Sequence, residues 1–68
     1  MPAYRIIEIR PMVDIDERGR FYKLYRVRFV VAEKVEDFID IKEEDFSEKK
    51  VRELVEKRAS EISRLMGL

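Results

Sequence analysis

Sixty-eight residues, a formal net charge of zero and the absence of cysteine and histidine bound what this chain can be. A single small domain, 1–68, is expected, and below about 70–80 residues one core supplies only roughly 3–5 kcal/mol. Disulfides and the usual zinc ligands are excluded as supports, and a neutral chain is no generic polyanion binder.

Residues 4–13 read as a strand. The "DERG" of residues 16–19 predicts a type I turn closed by a G1 bulge, with Gly19 at positive φ in a three-residue hairpin loop. A long second strand over about 20–32 carries "RFYKLYRVRFVV", where apolar residues alternate with basic and aromatic ones. The turn sets the register. Ile7 is expected opposite Phe29, Ile9 opposite Val27 and Ile15 opposite Phe21, which gathers the odd positions into one apolar face. On the even face Glu8 meets Arg28, Arg10 meets Arg26 and Met12 meets Leu24. "VEDFIDIK", residues 35–42, reads as a shorter third strand, antiparallel to the second because the connection is short.

Residues 48–66 predict a helix. Val51, Leu54, Val55, Arg58, Ala59, Ile62, Leu65 and Met66 fall near one stripe. Ser47 is the expected N-cap, Phe46 and Val51 match a hydrophobic staple, and Gly67 suits the C′ position. Glu53 and Lys57 have the favourable i,i+4 order. The stripe needs a partner, and the odd sheet face provides one. The predicted fold is α+β: a three-stranded antiparallel meander, βββα, with one C-terminal helix on one face.

The chemistry of sites is sparse. Without histidine or cysteine the commonest general bases and nucleophiles are missing, and Ser47, Ser60 and Ser63 have nothing to activate them. One core leaves little room for a water-excluding cleft, so the expectation is a non-catalytic domain with no cofactor and no small-molecule substrate. "DIDERG", residues 14–19, begins like a calcium loop but places Arg18 at a ligand position and Tyr25 where the closing glutamate belongs, so no metal is expected. There is no glycine-rich phosphate loop.

Charge is unevenly placed: net +3 over residues 1–32, −6 over 33–48 and +3 over 49–68, an acidic middle between two basic ends. Asparagine, glutamine, threonine and tryptophan are absent and charged residues make up 44% of the chain, a thermophile-like composition that predicts a thermostable protein. No apolar run approaches the roughly 18 residues of a membrane span and no signal-peptide pattern is present, so a soluble cytoplasmic protein without membrane contact is expected.

One helix covers one sheet face, which leaves the even face to be explained. Ile6, Glu8, Arg10, Met12, Tyr22, Leu24, Arg26, Arg28, Val30 and Phe38 form the candidate interaction face, more apolar than a solvated surface requires. The leading expectation is a small interaction or structural domain that self-associates there, as a homodimer or with another protein. The alternative is a nucleic-acid-binding accessory protein, with Arg10, Arg26 and Arg28 on phosphates or bases and Tyr22 or Phe38 stacking. A third reading lays the arginine stems over the apolar groups and keeps their heads in water.

Overall fold

In the computed structural model, residues 3–67 are described: strands β1 (Tyr4–Ile15), β2 (Phe21–Val31) and β3 (Val35–Lys42), a single 3-10 turn (Glu43–Asp45) and helix α1 (Glu48–Met66). The strands form one antiparallel sheet in the order β1-β2-β3 with α1 packed on one face, the βββα architecture the residue pattern predicts.

The first hairpin is set by Asp16. Its carbonyl accepts from the Gly19 N–H (3.0 Å), its N–H donates to the Arg20 carbonyl (2.9 Å), and its carboxylate accepts from the N–H groups of Arg18 and Arg20. Gly19 has φ +77°, as the G1 bulge requires. The predicted register then holds from Ile15 opposite Phe21 back to Glu8 opposite Arg28.

There it shifts. Ile6, not Ile7, lies opposite Phe29, and Tyr4 lies opposite Val31. Ile7 is the extra residue of a β-bulge, which exchanges the two faces for everything before it. Tyr4 therefore packs against the core, and its hydroxyl donates to Glu56 on α1 (3.3 Å). Ile6, expected on the even face, belongs to the helix side.

The β2–β3 turn uses left-handed backbone at Ala32 (φ 52°) and Glu33 (φ 54°), with the Lys34 N–H donating to the Val31 carbonyl (3.0 Å). Neither is a residue that favours this conformation. Two ties to the start of β1 hold it: the Ala32 N–H donates to the Ala3 carbonyl (2.8 Å), and Arg5 grips the Glu33 carboxylate with two hydrogen bonds of 3.0 and 2.9 Å.

α1 is capped as predicted, with the Lys50 N–H donating to Ser47 Oγ (3.1 Å) and Gly67 left-handed at the C-terminal end. Its core side is Val51, Val55, Ala59 and Ile62, which meets Val27, Phe29, Val31 and Ile41 of the sheet. Three positions assigned to the stripe differ. Leu65 is 85% exposed and Met66 is also exposed. Arg58 turns outward and approaches Asp37 (3.7 Å). In place of the Glu53–Lys57 pair, the i,i+4 ion pair formed among the described residues is Glu48–Arg52 (3.0 Å).

Candidate interaction surface

The even face carries Glu8, Arg10, Met12, Tyr22, Leu24, Arg26, Arg28, Val30 and Phe38 as expected, but its side chains are largely engaged with one another. Arg26 makes a two-bond pair with Asp40 (2.9 and 3.1 Å), directly opposite on β3, and its guanidinium lies 4.2 Å from the centre of the Phe38 ring. Arg28 bridges Glu8 (3.4 Å) and Glu36, so β1, β2 and β3 are tied through one residue. Hydrogen bonds to these carboxylates raise both guanidinium pKa values, Arg26 through Asp40 and Arg28 through Glu36 and then Glu8. Lys42 lies over the Tyr22 ring (5.5 Å), and the Tyr22 hydroxyl reaches Asp14 (3.5 Å); burial and that carboxylate raise the tyrosine pKa. Leu24, between Met12 and Lys42 on the central strand, is only 5% exposed. Phe38 is the large hydrophobic of this face that stays exposed, and among the described residues Arg10 has no ion-pair partner.

The exposed apolar surface is on the opposite side. β3 pairs with β2 only from Leu24 to Val31, whereas β1 follows β2 down to Phe21. The helix packs on β2 and β3. Beyond Met12 and Leu24 the β1–β2 hairpin therefore projects as a two-stranded arm, and the molecule is 40 Å long against 22 and 16 Å in its other dimensions. The odd side of this arm presents Val13 (61% exposed), Ile15 (52%) and Phe21 (74%), continuous along β1 with Ile9 and Ile6. At the other end of the same strip, Tyr4, Ile6 and Ile9 form one wall of a groove of about 380 Å³. Phe46, Val51, Glu48 and Arg52 form the other. Phe46 is fixed there by stacking on Tyr25 (centroids 4.2 Å apart).

Both outer strands are blunted along their edges. The Asp16–Arg20 hydrogen bond sets the alternation that turns the N–H groups of odd β1 residues outward. On that edge Pro11 has no N–H, and the N–H of Ile15 is taken by the Asp14 carboxylate (2.8 Å). On β3, Asp37 takes the N–H of Phe38 in the same way (2.8 Å). Such edges resist strand-to-strand pairing.

Among the described residues no three acidic side chains converge to hold a metal ion, and no helix is long and apolar enough to cross a membrane. Comparison with protein-family models, with curated proteins and with solved structures finds no match. Ile9, Val13, Ile15 and Phe21, odd positions of the apolar face that the pattern places against the helix, are instead exposed. The signal that marks them is strand length: a long first hairpin cannot be covered by a third strand of eight residues and one helix seated on it.

Proposed function

We propose that this protein is a small non-catalytic interaction domain that self-associates, and that the contact surface is the helix-side strip of β1 and the hairpin arm rather than the even face. The observation that carries this reading is Phe21, 74% exposed beside Ile15 on an arm that neither the helix nor β3 covers. A two-stranded ribbon is marginal alone in water, and a contiguous exposed apolar strip is the usual mark of an interaction site. The even face supports the reading by contrast, since Arg26 and Arg28 are neutralised within the chain and Leu24 is buried. Sedimentation equilibrium from low to high micromolar concentration tests it. The expected result is a monomer–dimer equilibrium that Phe21→Glu shifts to monomer with the helical signal unchanged; a wild type that stays monomeric at high micromolar concentration overturns it.

The nucleic-acid reading is second. Arg10 favours it on the even face, and Arg18 and Arg20 favour it at the arm tip, since none of the three has an ion-pair partner among the described residues.

A further inference from the structure

The first residues of β1 fit the sheet in two registers. In the structure Tyr4, Arg5 and Ile6 lie opposite Val31, Val30 and Phe29, and Ile7 is the bulge residue. Moving the segment before Glu8 by one residue, about 3.3 Å, removes the bulge. Ile7 then takes the place of Ile6 opposite Phe29, Ile6 that of Arg5 opposite Val30, and Arg5 that of Tyr4 opposite Val31. The Asp16 turn fixes the pairing from Glu8 onward, so the shift is confined to the residues before it.

Little separates the two registers. Ile6 and Ile7 are the same residue at nearly the same exposure, 39% and 41%, so exchanging them leaves apolar burial almost unchanged. Tyr4 gives up its packing against the core and its 3.3 Å hydrogen bond to Glu56. Arg5 arrives beside that carboxylate and gives up Glu33, an exposed pair of small worth. β1 is an outer strand, so a single ladder is rebuilt. The shift also releases the ties from Ala3 and Arg5 that hold Ala32 and Glu33 in left-handed backbone, which non-glycine residues adopt at a cost.

We infer that the start of β1 is a two-position register switch, with the bulged register as the major state and the regular one as a minor state. The switch remodels the groove of about 380 Å³ beside α1. In the major register Tyr4 and Ile6 line it with Ile9. In the minor register Arg5 and Ile7 replace them, and Ile6 moves to the even face beside Val30. The groove wall on α1 carries Glu48 and Arg52, with Glu56 next to Tyr4. One position of that wall therefore alternates between a phenol and a guanidinium. The switch acts within one chain and does not depend on self-association.

Relaxation-dispersion NMR on the full chain tests it. Exchange on roughly the microsecond-to-millisecond scale is expected at the amides of Tyr4 to Glu8 and of Phe29 to Glu33, with a minor state of about 1–10%. The arm and α1 beyond Glu56 are expected to stay quiet. The exchange should not change with protein concentration, which separates it from association. Ile7→Glu would carry a carboxylate into the groove beside Glu48 and Glu56 in the minor register, and is expected to abolish the exchange. Ile6→Glu places the same charge there in the major register, and is expected to make the regular register dominant. Its cross-strand contact to Phe29 should then come from Ile7, with shifts matching the minor state of the wild type. Flat profiles over Tyr4 to Glu8, exchange that scales with concentration, or exchange that Ile7→Glu leaves unchanged overturns the switch. A folded Ile6→Glu that keeps residue 6 opposite Phe29 does so too. If Ile6→Glu loses its helical signal, the wild type and Ile7→Glu decide between the two outcomes.

Discussion

Ile6 lies opposite Phe29 across the β1–β2 ladder, and that one pairing decides which side of the sheet the start of the chain serves. Phe29 is fully buried under α1, so Ile6 borders the helix side, and the bulge at Ile7 absorbs the change of parity before Glu8. Tyr4 follows Ile6 to the same side and reaches Glu56. A variant lacking Ile7 therefore restores a regular ladder with every flanking residue still on its present face. It is expected to fold, with stability within about 1 kcal/mol of wild type, as for changes away from the core. Removing Ile9 instead keeps Ile6 opposite Phe29 only by carrying Glu8 to the helix side, opposite the fully buried Val27, and is expected to be far more damaging. Thermal unfolding of the two deletions checks the order; equal losses would place Ile7 in the core after all.

Gly19 separates backbone cost from packing cost. A Cβ built there meets nothing within 4 Å, yet φ is +77°. Gly19→Val is thus expected to destabilise by about 1–2 kcal/mol through conformation alone. Glu33, non-glycine at φ 54°, is the reverse case. Glu33→Gly relieves a strain of similar size and gives up an exposed ion pair worth about 0–1 kcal/mol, so stability is expected to hold or rise. Urea unfolding of both variants measures the contrast.

How much of this was legible in the residues follows how local each determinant is. Asp16 and Gly19 specify the first turn, Ser47 and Gly67 specify the helix ends, and strict alternation specifies β2; each is readable because a few adjacent residues determine it. The bulge was not, because Ile6 and Ile7 are identical neighbours and either satisfies a core position. Coverage was not either. Whether Val13, Ile15 and Phe21 are core or surface depends on how far β3 and α1 extend beneath them, and no local pattern encodes that.

Leu24 shows the consequence for choosing probes. On an open face Leu24→Glu would report on association, but at 5% exposure it reports on folding. Shortening a buried leucine to alanine costs about 2–5 kcal/mol, and an unpaired buried charge costs more. A domain with only a few kcal/mol of stability is expected to lose its helical signal in Leu24→Glu. Phe21→Glu, at 74% exposure, is expected to keep it. Circular dichroism distinguishes the two, and a folded Leu24→Glu would return the even face to consideration.

Tyr4 predicts a response to alkali. Burial, reinforced by Glu56, raises its phenol above the usual value of 10.0. A group whose folded pKa is raised favours the protonated folded state, so its contribution is complete below the unfolded pKa and is lost as pH rises through the folded one. Wild-type stability is expected to fall above about pH 10 by a component that Tyr4→Phe lacks. Unfolding free energies of both proteins from pH 9 upward, at about 0.5 unit steps, test the sign. Parallel curves would leave Tyr4 unlinked to folding.

Nucleic-acid binding is expected to be weak and to depend on salt only modestly. Of the three even-face arginines, Arg26 is held by Asp40 and Arg28 by Glu8 and Glu36, so phosphate contact there requires those pairs to break, while Arg10 has no ion-pair partner among the described residues. At a slope of about −0.9 per neutralised phosphate, affinity between 50 and 200 mM salt falls about fourfold for one contact and about fortyfold for three. Non-specific binding near about 10⁻⁴ M at low salt is then negligible at physiological salt. Titrations of duplex and single-stranded DNA and RNA at both salt concentrations measure the slope directly. Submicromolar binding at the higher salt, abolished by Arg26→Glu with Arg28→Glu, would mean that the ion pairs of the even face open for phosphate and would make nucleic acid the leading partner. The same affinity abolished by Arg18→Glu with Arg20→Glu would assign it to the arm tip, where neither guanidinium has an ion-pair partner among the described residues.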